Sequence, residues 1–210
     1  MTTVDVAPLD DRRRILGRLV PLFAVSGVAA LVYQISWQRL LVLTFGADIE
    51  SVTIIVSAFM LGLGLGALAG GQLADRFRGH IIELFAAAEI AIGLFGFASA
   101  ALIAAAGELA MQGSPAFVAA VNFALLLVPT SLMGATLPML VAYCVQTYRT
   151  VGAAIGLLYF INTMGAAAGA PITGFVWFHY FGIGQTIQAA ATLNVIVGIG
   201  AWLLLRRKRV

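Results

Sequence analysis

The sequence predicts an all-α membrane protein of six transmembrane helices, and three observations predict it. The chain is 61% hydrophobic and only 10% charged, with a mean hydropathy of +1.02, whereas a soluble domain carries about 25% charged residues. Its apolar residues gather into six runs, each near or above the ~20 residues that a helix needs to cross the hydrocarbon core. The basic residues lie mostly outside those runs, in clusters that return on every second connector.

The elements follow in order. Residues 1–14 form a polar tail ending in Arg12, Arg13 and Arg14, with Arg18 just beyond. The tail does not read as a signal peptide, because the basic cluster follows it and a full-length span comes next without a small-residue cleavage site. The first run, 19–45, carries Gln34, Trp37 and Arg39 in its second half; the second, 51–73, has no charge. The third, 82–106, contains Glu83 and Glu89. The fourth, fifth and sixth, 116–145, 151–178 and 187–205, are uncharged. None of the runs alternates polar and apolar residues, so helices rather than barrel strands are expected. Pro138 and Pro171 are expected to kink the fourth and fifth helices.

Arginine marks the connectors at 74–81 and 146–150, and the connectors at 46–50, 107–115 and 179–186 carry neither arginine nor lysine. By the positive-inside rule both termini are cytoplasmic. The membrane domain then runs over 15–206, with 207–210 as a basic cytoplasmic end. The net charge of +3 and pI near 9.4 are explained by these flanking arginines, and nucleic acid is not an expected partner.

Small residues pattern two helices. Gly62, Gly66 and Gly70 fall four apart, as do Gly165 and Gly169, which lines one helix face with glycine and lets a second backbone approach closely. The alternative, a nucleotide loop in GLGLGALAGG, lacks the preceding strand and the acidic residue about 20 positions on. There is also a weak internal repeat. Gly66-Ala-Leu-Ala-Gly-Gly71 matches Gly165-Ala-Ala-Ala-Gly-Ala170, and Glu89-Ile-Ala-Ile-Gly93 matches Asn194-Val-Ile-Val-Gly198. Three helices per copy make the repeat inverted, as in many transporters. Matches this short also arise by chance in Gly/Ala-rich helices.

Candidate functional residues are few. Glu89 is nine residues past His80, about 13 Å into the bilayer at 1.5 Å per residue. It is the candidate proton or cation site, with Gln34, Asn162 and Asn194 lining the same cavity. The competing reading makes these groups interhelical hydrogen bonds. Arg39, seven residues before Gly46 and roughly 10 Å from the outer side, is either part of that cavity or a cation snorkelling beside Trp37 at the interface. The single Cys144 excludes an internal disulfide, and His80 and His179 lack ligand spacing. With no Ser-His-Asp set, metal cluster or cofactor loop, no catalytic residue, metal or cofactor is expected, and the chain is not expected to be an enzyme.

Two resemblances add to this. The turn Gly71-Gln-Leu-Ala-Asp75-Arg76-Phe-Arg78-Gly79 is similar to the cytoplasmic loop between helices two and three of the major facilitator superfamily. This implies an inverted 3+3 fold like half of a facilitator, with Asp75 docking on a neighbouring helix end. The whole chain resembles the membrane domain of bacterial spermidine synthase-like proteins. The matching stretches are Ser26 to Arg39, Ala58 to Gly66, Pro129 to Pro138 and Tyr159 to Gly165. That resemblance implies the bacterial inner membrane. In many members an aminopropyltransferase-like soluble domain follows, binding decarboxylated S-adenosylmethionine and a polyamine; from the sequence alone no such domain is expected after the sixth run. Two functions are expected from different classes. One is a non-catalytic scaffold or accessory subunit packed against other membrane-protein subunits. The other is a homodimeric half-transporter for a small cation or polyamine, pairing with a second copy of itself.

Overall fold

The computed structural model describes residues 9–45, 49–110, 115–148 and 151–205. Among these, every regular element is helical, and six helices are long and apolar enough to cross a membrane. They are α1 (Leu9–Phe45), α2 (Ile49–Arg76), α3 (Ile81–Ala110), α4 (Pro115–Tyr148), α5 (Val151–Pro171) and α6 (Gly182–Leu205). A 3-10 turn, Arg78–His80, joins α2 to α3. Residues 1–8, Arg149 and the basic end 207–210 lie outside the described residues.

Element boundaries move outward from the sequence expectation. Helix α1 begins at Leu9, within the segment expected to be a tail. The sixth helix begins at Gly182 rather than 187. Gly182 takes φ +71°, a left-handed conformation open to glycine, and so reverses the chain in very few residues. Thr186 then donates its hydroxyl to the Gly182 carbonyl at 2.6 Å, inside the first turn. Polar residues that read as loop are therefore helical.

Proline falls inside several of these helices. Pro21, Pro129 and Pro138 all lie inside helices. At Pro171 the α-helix widens into a π-helical turn, Ile172–Trp177, closed by one α-turn at Phe178–Tyr180. Proline lacks the amide hydrogen that an α-helix needs and its ring crowds the carbonyl four residues back, and a π-turn is one way a helix accommodates such a break. Buried Thr173 donates to the Gly169 carbonyl at 2.8 Å across this break.

The glycine faces pack as the spacing predicts. Gly62, Gly66 and Gly70 of α2 lie against Thr130, Ser131 and Ala135 of α4, and Gly134 receives the Leu63 backbone in return. Gly165 and Gly169 of α5 lie against Ala24 and Val28 of α1, and Gly27 receives the backbone of Asn162. Gly93 of α3 lies against Ala191 and Val195 of α6, and Gly198 against Ala86 and Ile90. At each of these places a Cβ would strike backbone or a close side chain, so only glycine permits the approach. Helix α3 also packs along α4, and α1 along α6.

Two apolar clusters fill the bundle. One, toward the α2–α3 turn, contains Phe23, Ile81, Phe85 and Leu140; the other, toward the α5–α6 turn, contains Tyr33, Trp37, Phe59 and Ile187. In the second, Tyr33 stacks on Trp37 with centroids 4.6 Å apart, and Phe95 meets Trp37 edge-on at 5.7 Å.

Candidate functional site: a buried carboxylate between two apolar clusters

Three helices bring a polar group to the seam between the two clusters. On α1 Ser26 follows Phe23 by one turn; on α3 Glu89 follows Phe85; on α6 Asn194 follows Ala191. The Ser26 hydroxyl donates to Glu89 Oε1 at 2.7 Å, and the Asn194 amide donates to Oε2 at 2.5 Å. Glu89 is fully buried, and Ser26 and Asn194 are buried with it. Each carboxylate oxygen thus accepts one hydrogen bond from a neutral donor. A buried polar group without such partners costs several kcal/mol, roughly 2–7, which is why these donors accompany the acid. Chemically the group can hold or release a proton and can lock three helices together.

The sequence candidates divide. Glu89 and Asn194 meet directly. Gln34 is half-buried two turns further along α1 than Ser26, and Asn162 is half-buried with its backbone against Gly27. Arg39 is exposed and lines an open groove near the α5–α6 turn, with Gln38 and Phe178. The structure thus joins Glu89 and Asn194 directly and places Arg39 in a groove lined by other residues. Ser26 was missed as a site residue. Its signal was weak, because serine is ordinary in membrane helices, where it bonds to backbone or to another helix.

Trp37 also differs from expectation. It is fully buried, and its indole nitrogen donates to Ser99 Oγ at 2.9 Å, which in turn donates to the Gly96 carbonyl at 2.8 Å. Its polar end is satisfied inside the bundle and does not sit beside Arg39 at an interface.

The turn after α2 is local in its contacts. Asp75 pairs with Arg78 at 3.5 Å, both side chains largely exposed, and Arg78 Nε donates to the Asp75 carbonyl at 3.3 Å. Arg76 lies 5.7 Å from the Phe77 ring centroid. Gly71 is half-buried with open space where a Cβ would stand, so it is no packing glycine. Asp75 thus finds its ionic partner within its own turn, three residues on. Among the described residues no three His, Cys, Asp or Glu side chains cluster as a metal site.

Comparison with known proteins bears on identity. Polyamine aminopropyltransferase 2 of Streptomyces coelicolor is 30% identical over 206 residues, which are 93% of this chain and 36% of that protein. Polyamine aminopropyltransferase of Mycobacterium tuberculosis is 33% identical over 164 residues, 76% of this chain and 30% of the relative. The Oceanobacillus iheyensis protein of the same name is 22% identical over 184 residues, 88% and 35% respectively. The chain is similar to these proteins and spans about a third of their length. No family model and no solved structure matches. The expectation that the chain is not an enzyme is corrected by these relatives, because proteins that align with most of it are named for an enzyme activity. That expectation rested on missing catalytic motifs, and a helical membrane segment carries none of the motifs it was tested against.

Proposed function

We propose that the chain is the membrane-embedded module of a polyamine aminopropyltransferase, holding aminopropyl transfer at the cytoplasmic face of the bacterial inner membrane. Its helices pack against the rest of that assembly. The observation that carries this reading is the alignment of proteins named for the activity along 93% and 76% of the chain. The reaction would move an aminopropyl group from decarboxylated S-adenosylmethionine to a polyamine. Arginine on alternate connectors supports cytoplasmic termini. The test compares membranes from cells with the chain intact and cells from which it is deleted, assayed for transfer of labelled aminopropyl groups to putrescine. Loss of the membrane-associated activity on deletion is expected; unchanged membrane-associated activity contradicts the reading.

Within this module we read the six helices as two inverted three-helix repeats, the architecture of half a major facilitator. Correspondence of contacts supports it. Gly66 against Ser131 and Gly70 against Ala135 have as counterparts Gly165 against Ala24 and Gly169 against Val28. Gly134 on Leu63 answers to Gly27 on Asn162, and Gly93 on Val195 to Gly198 on Ile90. Glu89 and Asn194, aligned in the weak sequence repeat, bond to each other. One shift along the chain per helix pair relates all of these.

That pairing favours a second reading, a homodimeric half-transporter for a small cation or polyamine with Glu89 as its coupling acid. Inverted repeats with a polar site near the midplane are a transporter pattern. Glu89→Gln would then abolish uptake of labelled putrescine into vesicles, and unchanged uptake would exclude the coupling role.

A further inference from the structure

Near the α5–α6 turn, the second half of α1 and the π-helical turn bound an open groove of about 620 Å3. One wall is Ile35, Arg39 and Val42 of α1; the other is Gly174, Phe178 and Ile183. Arg39 is the only charged residue in this lining. It is exposed, and among the described residues no carboxylate pairs with it.

We propose that this groove binds an anionic phospholipid, with the phosphate on the Arg39 guanidinium and an acyl chain along Ile35, Val42 and Phe178. The inference stands apart from the aminopropyltransferase reading. Three observations carry it. The first is charge: a planar guanidinium grips phosphate oxygens through two parallel hydrogen bonds, while a lone cation repels a polyamine. The second is depth. Arg39 is four residues before Leu43, the end of the apolar span, so its Cα lies about 6 Å inside that boundary. An arginine side chain covers this distance by snorkelling. Tyr180 at the same end is 72% exposed, an amphipathic ring of the kind enriched at the headgroup level. The third is shape. The π-turn runs over Ile172–Trp177, and at Gly174 no atom beyond its own helix turn lies within 4 Å of where a Cβ would stand. The groove wall is therefore open at Gly174, and π-turns recur at functional sites.

The test uses the full chain in nanodiscs of phosphatidylethanolamine and phosphatidylglycerol, with retained lipid counted by native mass spectrometry after transfer to detergent. Selective retention of phosphatidylglycerol is expected, falling about tenfold in Arg39→Gln, the loss of one charge-assisted contact. Gly174→Leu fills the groove from open space and should lower retention with Arg39 intact, while unfolding temperatures equal to the parent in both variants separate groove occupancy from a folding defect. Equal retention in both variants overturns the proposal. So does equal retention of the two lipids, or displacement by millimolar inorganic phosphate, which would make this a site for the free ion.

Discussion

Glu89 is the residue that holds the buried Ser26 and Asn194 side chains together. Replacing it by Leu strands the Asn194 amide and the Ser26 hydroxyl inside the bundle. An unsatisfied buried donor costs about 1–3 kcal/mol, so Glu89→Leu should unfold at distinctly lower temperature in detergent. Glu89→Gln keeps an acceptor for one neighbour, and Asn194 can turn its carbonyl to the new amide. Its loss should stay near 1 kcal/mol or below. Equal destabilisation by the two variants would show that the hydrogen bonds are not what holds the site. Much of this site was legible in the sequence, because a carboxylate and an asparagine amid apolar runs are conspicuous. Ser26 was not, since nothing local distinguishes it from Ser36 or Ser57. Trp37 misled for a related reason: an indole near a helix end suits an interface, and only the partner Ser99, 62 residues away, reveals that it is buried.

At the scale of elements, glycine decides how closely helices pair. A side chain on Gly66 would meet the Ser131 backbone, and one on Gly165 the Ala24 backbone; backbone cannot step aside as a side chain can. Gly66→Leu and Gly165→Leu should each cost roughly 1–3 kcal/mol or more by overpacking. Gly64→Leu and Gly156→Leu, where no atom lies within 4 Å of the added Cβ, should change stability by no more than ~0.5 kcal/mol. Thermal unfolding of the four variants in one detergent checks this, and a large loss at Gly64 would mean that a further surface covers α2. The six spans were readable from apolar run length, and the packing glycines from their four-residue spacing. Two features were not. The early start of α6 depends on one left-handed glycine, and the π-turn depends on how the bundle absorbs Pro171.

For the whole molecule, we propose from the alternation of arginine that the α2–α3 turn is cytoplasmic and the α5–α6 turn lies outside. Cysteines introduced as Arg78→Cys and His179→Cys should react with a membrane-impermeant thiol reagent from opposite sides of intact cells and inverted vesicles. The native Cys144 is 1% exposed and stays silent. Labelling of both from one side would refute the six-span topology. Fold class came from hydropathy, which reports the solvent around the chain. Activity did not, because the chain matches only about a third of each relative and chemistry is recognised from reacting side chains rather than from helices in lipid.

The most direct measurement is aminopropyl transfer to putrescine by the particle recovered with the affinity-tagged chain from its own membrane in mild detergent, its mass determined alongside. If the chain is the membrane module of the transferase, the activity elutes with it. A discrete homodimer without transfer activity would contradict that assignment and leave the half-transporter as the reading to pursue.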